Sequence, residues 1–261
     1  MKTNNNIVWV FVAIIIALLL LLSYIQYFQV KYTDSFSENY DNQTVPITYY
    51  VIHNRSNQER KKNIEEQEAK LGKPIHIFDA IMGKDLDLDN LSVFDTRLQN
   101  KYNSRNKNEY GCYLSHFMLL NKLLQHKPPE NASNAGVSVI FEDDFQIMSE
   151  DLEKHIRHEL EIIDRPIDMI FLGHLDSYMG KLYKEDLYEL DMNNYQDFAG
   201  LHGYIVNNQS ILKIHDLLFE IDNPIDYKYG KIIAEGKLDA LLLYPTMVNQ
   251  NGMESSIGFD R

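Results

Sequence analysis

The chain has 261 residues, 44% hydrophobic and 24% charged, enough for one sizeable hydrophobic core. Its 25 Lys and Arg against 38 Asp and Glu leave a formal charge of −13, which argues against a protein whose affinity rests on covering phosphates with a basic face. The single cysteine, Cys112, excludes an intrachain disulfide and a zinc site built from the chain's own cysteines.

Thr3 to Val30 carries no charged residue, and its centre, "IVWVFVAIIIALLLLL", is 16 apolar residues extended by "SYIQYF". Such a run is long enough to cross a hydrocarbon core of ~30 Å as a helix. Only Lys2 and the amino terminus precede it and no small-x-small site follows the leucines, so residues 7–28 read as an uncleaved signal-anchor rather than a cleaved leader. Residues 1–6 are then a short tail, and the polar, aperiodic residues 29–45 a stem leading to a globular domain over 46–261. The expectation is a single-pass membrane protein of type II. In a host with endomembranes its domain would be lumenal, and the sequons at Asn42, Asn54, Asn131 and Asn208 would be potential glycan acceptors.

Within the domain, "ITYYVI" (47–52) predicts a strand, "HNRS" a turn, and "NQERKKNIEEQEAKL" (57–71) a charged helix stopped by Gly72. "PIHIF" (74–78) is a second strand. Residues 84–110 are polar and rich in Asn and Lys, and read as a long excursion over one edge. Their "DLDLDN", Asp85 to Asn90, resembles a calcium loop superficially; the sixth position is Asn90 where glycine is needed, and the twelfth is Thr96 where glutamate is needed. "GCYLSHFMLLNKLLQH" (111–126) predicts a helix with Tyr113, Phe117, Leu120 and Leu124 on one face. Val137 to Phe141 reads as a strand buried on both faces, "DMIFL" (168–172) as another, "NQSILKIHDLLFEI" (208–221) as a helix and "ALLLY" (240–244) as a strand. Strands alternating with helices predict an α/β fold, a mainly parallel sheet covered on both sides, with ligands beyond the carboxyl ends of the strands.

At that rim the strand 137–141 runs into Glu142, Asp143 and Asp144. Two unit charges ~4 Å apart repel by about 4 kcal/mol at an effective dielectric of ~20, so three adjacent carboxylates call for something positive. Alternate residues of an extended chain share a face, which puts Glu142 and Asp144 to one side and Asp143 to the other. A hard cation, Mn²⁺ or Mg²⁺, suits the pair; the plain alternative is an exposed acidic turn.

"ITYYVIHNRSNQERKKNIEEQ", "FDAIMG", "NEYGCYLSHFMLL", "VIFEDDFQI", "HGYIVNNQS" and "NPID", in this order over about residues 47–257, resemble family 25 glycosyltransferases. That is the family of bacterial lipooligosaccharide galactosyltransferases and collagen hydroxylysine galactosyltransferases. The resemblance implies a GT-A fold, a UDP-sugar donor, Mn²⁺ dependence and inversion at the anomeric carbon, with a hexose passing to a hydroxyl of a glycan or hydroxylysine. By position it implies donor contacts at Asn54, Arg60, Ser115, His116, Asp143 and Gly203, and metal ligation by Asp144 and Glu142. Ser115 and His116 would lie in the opening turns of their helix, where free N–H groups favour a diphosphate. Asp226 in "NPID" becomes the first candidate for the base that deprotonates the acceptor, with Asp168 and Asp176 behind it. His202 is expected near the sugars, and Cys112 as a small core residue. Residues 173–200 carry no assignment. The competing function is a membrane-tethered module that binds a nucleotide sugar or glycan without catalysis; a purely structural membrane protein is a third reading.

Overall fold

A computed structural model describes residues 45–86, 107–125, 136–173, 179–195 and 198–252. Along the chain run β1 (Ile47–His53), α1 (Gln58–Leu71), β2 (Ile75–Asp79), a 3-10 turn at Gly83–Asp85, α2 (Lys107–Gln125), β3 (Val137–Glu142), β4 (Phe145–Ile147) and α3 (Leu152–Ile162). They are followed by β5 (Met169–Gly173), β6 (Met179–Lys184), β7 (Leu187–Leu190), β8 (Gly203–Asn207), α4 (Ile211–Leu217), α5 (Ile225–Ala234), β9 (Ala240–Leu243) and β10 (Val248–Gln250). All of these elements belong to one unit, Asp41–Ile163 with Ile167–Arg261.

Eight strands make one sheet in the order β2-β1-β3-β8-β5-β9-β7-β6, and β10 pairs with β4 in a second, two-stranded sheet. The expectation of a mainly parallel sheet needs correction, because the sheet is mixed. β1 runs parallel to β2 and β3, and β5 to β9, whereas β8 is antiparallel to both β3 and β5, β7 to β9, and β6 to β7. The β6–β7 pair is joined by only Glu185 and Asp186, with Glu185 at φ 45°, and a two-residue connection permits only the antiparallel pairing. β8 enters from the carboxyl rim of β3, with Gly203 opposite Phe141. Its apolar run, "GYIVN", carries no mark of direction.

β3 is buried from Val137 to Phe141, and its two faces are filled from different elements. On one face Ile140 joins Tyr113, Leu114, Phe117 and Leu120 of α2, with Ile211, Ile214, Tyr229 and Ile232 from α4 and α5, in a single core. On the other, Phe141 stacks on Phe145 with ring centroids 4.3 Å apart. Each large side chain buried in this way contributes about 1.5–3 kcal/mol. The face assigned to α2 is as expected: Tyr113, Phe117 and Leu120 are buried, and Leu124 packs against the same core.

α1 starts where Asn57 accepts from the Arg60 N–H and ends at Gly72 in the left-handed region, φ 67°, as its sequence predicts. α2 begins earlier than its apolar pattern suggests, at Lys107, so the expected excursion 84–110 closes with the first turn of a helix. Gly83 and Gly111 let two backbones meet there: a Cβ on Gly111 would stand 2.5 Å from the Ile81 carbonyl oxygen. Asp87 to Asn90 of the acidic hexapeptide lie outside the described residues. Among the described residues no helix is long and apolar enough to cross a membrane. The tail, the apolar run 7–28 and the stem, Val45 apart, are outside them.

Candidate active site

β3 delivers Glu142 to the carboxyl rim, and the chain then turns through Asp143 and Asp144 into β4. A stripe on α1 grips this turn. Asn63 Nδ2 donates to the carbonyls of Asp143 at 3.2 Å and Phe145 at 2.9 Å, Gln67 Oε1 accepts from the Ile147 N–H at 2.9 Å, and Lys70 Nζ donates to the Ile147 carbonyl at 2.6 Å. Together with Arg60 these residues recur at helical spacing on one face. From the other side β10 pairs with β4, and the Asn251 N–H donates to the Asp144 carbonyl at 2.9 Å.

The positive partner that the acids demand is, in the first place, Arg60. Its guanidinium is forked, one nitrogen on Asp143 Oδ1 and the other on Asp144 Oδ2 at 3.2 Å, with Arg60 only 4% exposed. Asp143 Oδ2 also accepts from the Asn54 backbone N–H at 3.1 Å and lies 2.8 Å from His53 Nδ1. Strand alternation holds for the first two acids, Glu142 facing α2 and Asp143 facing α1. It fails at Asp144, because the strand has ended and residues 143–144 are a turn; Asp144 shares Arg60 with Asp143 instead of facing with Glu142. Asp144 Oδ1 is buried and has no hydrogen-bond partner among the described residues. Burial first, then the charge of Glu142, pushes the Asp144 carboxyl up to about 6.

On the α2 side, His116 Nε2 lies 3.4 Å from Glu142 Oε1 and its Nδ1 2.8 Å from the Tyr204 hydroxyl. Burial raises the Glu142 carboxyl, but His116, His202 and Arg60 outweigh it and hold the group below its ordinary value. Cys112 Sγ sits 3.9 Å from the same oxygen, and burial pushes its thiol well up, so it is no nucleophile at neutral pH. Asn54, Arg60, Cys112, Ser115, His116, Glu142, Asp143, Asp144 and Gln250 all line one cavity of about 110 Å³. Seven of the residues assigned to donor or metal from sequence therefore converge.

Asp226 is half-buried in the first turn of α5, where its Oδ2 accepts from the Gly200 N–H at 2.9 Å; it is near enough to Glu142 to feel that charge but is not among the residues that line the cavity. Burial, then the Glu142 charge, raises its carboxyl from 3.8 to about 6. A raised acid favours the folded state fully below the unfolded value, and the contribution fades as pH rises through the folded value. Above pH 6 the ionised group therefore opposes folding. Asp226→Asn keeps the acceptor for Gly200, so it is expected to raise the melting temperature at pH 7.5 by an amount equivalent to about 1–2 kcal/mol, allowing for screening of a half-buried group. The gain should vanish near pH 4; thermal melts across that range read it out.

Three assignments change with the structure. Ser115 and His116 lie in the third turn of α2, not its opening, so their N–H groups are spent within the helix and cannot cradle a diphosphate. The Ser115 hydroxyl is spent too, donating to the Gly111 carbonyl at 2.7 Å and accepting from the Ile81 N–H at 2.8 Å. Gly203 opens β8, and a Cβ there would meet Val248 Cγ1 at 2.8 Å, which makes it a packing glycine under β10. Asp168 stands at the amino end of β5, opposite the acidic rim, bonded by Lys213 at 2.5 Å and the Asp239 N–H at 2.8 Å; this placement removes it from the candidates for the base. Asp176 lies outside the described residues. Asn54 keeps its place in the cavity wall, but its Oδ1 accepts from Ser56 Oγ at 2.8 Å within the turn. His202 is fully buried beside the rim, its carbonyl accepting from the Glu142 N–H at 3.4 Å. His53, Asn63 and Tyr204 also belong to the site, and none carries a signal in the sequence, where each is a single polar side chain in an apolar, turn or charged run.

An α/β domain with a buried acidic turn at its carboxyl rim is the setting in which the motif resemblance acquires geometry. The family model described as glycosyltransferase family 25 (LPS biosynthesis protein) matches residues 47–229, and the chain belongs to that family. It is a glycosyltransferase. No curated protein matches the chain.

Proposed function

We propose that the protein is a metal-dependent, inverting glycosyltransferase moving a hexose, galactose or glucose, from a UDP-sugar to a hydroxyl of a glycan or of a hydroxylysine-type protein acceptor. The observation that carries this is the Asp144 carboxylate, buried with one oxygen unpartnered among the described residues, beside Glu142 in the cavity that the family segment builds. A buried carboxylate oxygen without a partner costs several kcal/mol unless a cation satisfies it. Asp144, with Glu142 reached through water from the α2 side of the cavity, would hold Mn²⁺ or Mg²⁺, which when bound supplies Lewis-acid stabilisation of the departing diphosphate.

The chain's own residues then divide the work. Arg60, fixed by two carboxylates, keeps the acidic turn in register. Asp226, raised to about 6, is basic enough at neutral pH to take the proton of the acceptor hydroxyl as its oxygen attacks the anomeric carbon and the bond to the phosphate oxygen breaks. A single displacement of this kind inverts the configuration. β8, antiparallel between the flanking β3 and β5, and the acidic turn at the carboxyl end of β3 support a GT-A-like domain. Residues 7–28 would anchor it in a membrane as a type II protein.

The test is a donor screen with the purified full chain. UDP release from UDP-galactose, UDP-glucose and UDP-N-acetylglucosamine is measured with and without Mn²⁺. Release from one hexose donor, dependent on the cation, is expected. Binding of Mn²⁺ and UDP with no release or transfer would replace the enzyme with a nucleotide-sugar-binding module. No binding at all would remove the donor assignment.

A further inference from the structure

A different set of donors meets on the α2 side of the same cleft. Cys112 Sγ, His116 Nε2 and a Glu142 oxygen all lie within 4.8 Å of one another. The two separations from Glu142 Oε1 are 3.4 Å to His116 and 3.9 Å to Cys112. A tetrahedral Zn²⁺ with bonds of about 2.3 Å to sulfur and about 2.0–2.1 Å to nitrogen and oxygen has ligand–ligand edges of roughly 3.3–3.5 Å. The triad is therefore within about half an ångström of closing on such an ion along both measured edges. Cys112 and His116 are one turn apart on α2 and face the same way, while Glu142 is presented by the end of β3.

We propose that Cys112, His116 and Glu142 form a three-ligand site for a borderline-soft divalent cation, Zn²⁺ foremost, with its fourth position open to the cavity. Two further observations support it. Nδ1 of His116 is 2.8 Å from the Tyr204 hydroxyl, a fully buried partner. With Nδ1–H donating to that oxygen, the ring is held in the tautomer that leaves the Nε2 lone pair for a metal, as outer-shell partners of ligating histidines do. All three ligands also line the cavity, which gives an ion a way in. One thiolate and one imidazole favour Zn²⁺, Co²⁺ or Cu²⁺ over Mn²⁺ or Mg²⁺. The cysteine count excludes a cysteine-built zinc site but not this mixed one. On coordination Cys112 gives its proton to solvent as the sulfur–metal bond forms. The site stands on these three side chains and not on the transferase reading, although Glu142 is common to both. A soft cation here would take Glu142 from the Asp144 pair, so the two metals should compete.

Co²⁺ is the probe, because a thiolate bound to it gives a near-ultraviolet charge-transfer band that oxygen and nitrogen ligands do not. Cys112 is the chain's only cysteine, so such a band has one source. Titration of the full-length protein is expected to develop the band to saturation at one Co²⁺ per chain. An equivalent of Zn²⁺ should bleach it and Mg²⁺ should leave it. Cys112→Ser should abolish the band, and Glu142→Gln should weaken Co²⁺ binding at least 10-fold. A wild-type protein without the band overturns the proposal, whether or not Cys112→Ser folds. So does a band that saturates at one Co²⁺ per two chains, since that sulfur would be bridging molecules.

Discussion

Arg60→Met is expected to destabilise the protein by about 3–5 kcal/mol at pH 7.5, the usual cost of removing one member of a buried ion pair. Methionine keeps an apolar stem of similar reach while deleting the guanidinium and its charge. What remains is Asp143, still held by His53 and the Asn54 N–H, and Asp144, which loses the one side-chain partner it has among the described residues. Glu142, Asp143 and Asp144 would then repel one another inside a cavity with their shared cation gone. At about 2–4 °C per kcal/mol for a domain of this size, the melting temperature should fall by on the order of 10 °C. The deficit should shrink toward pH 5, because Asp144, already raised to about 6 with Arg60 present, is then protonated. Melts of wild type and variant at both pH values decide it. A variant that melts within a degree or two of wild type at pH 7.5 would show that Arg60 is a bystander.

β3 was visible because a run of β-branched and aromatic residues ending in charge has one obvious reading. Helix α1 was legible as a helix from Asn57 at its cap and Gly72 at its end. Its role was not, since Arg60, Asn63, Gln67 and Lys70 resemble the solvated face of any charged helix. Only the position of β4 beside them turns that stripe into a clamp on the acidic turn. The start of α2 is not visible in the sequence because "KNEY" carries no apolar period; the close approach of the Gly83 backbone to Lys107 and Asn108 shows how tightly that first turn is packed. The antiparallel β8 was missed because direction is set by which rim a chain enters from, and an apolar pentapeptide reads alike both ways. From sequence Asp226 ranks ahead of Asp168 only by its place in the "NPID" motif, while Asp168 opens a strand. In the fold one lies at the amino end of a strand under a lysine, and the other is close enough to Glu142 for that charge to raise it.

Asp144→Asn and Asp143→Asn should separate chemistry from stability, and the separation tests the site most sharply. Asp144 has one oxygen on Arg60 and one unpartnered among the described residues, and it is held near 6 by burial and Glu142. Asparagine keeps the size, still accepts from Arg60, and removes a carboxylate that its neighbours resist. The fold should therefore melt close to wild type. Activity should fall by at least 100-fold, since a metal-stabilised leaving group is worth several kcal/mol and each ~1.4 kcal/mol is tenfold in rate. The gain in stability from saturating Mn²⁺ and UDP, about 2.7 kcal/mol at 100 times the dissociation constant, should be lost with it. Asp143 behaves oppositely, since it has no free oxygen to offer a cation: Arg60 takes one, and His53 with the Asn54 N–H takes the other. Its asparagine breaks the fork and offers His53 or Arg60 an amide N–H where each needs an acceptor. That variant should melt several degrees lower, while the protein that remains folded still gains stability from Mn²⁺ and UDP. An Asp144→Asn protein that turns over at the wild-type rate and still responds to Mn²⁺ and UDP would reduce the three acids to a turn held together by Arg60.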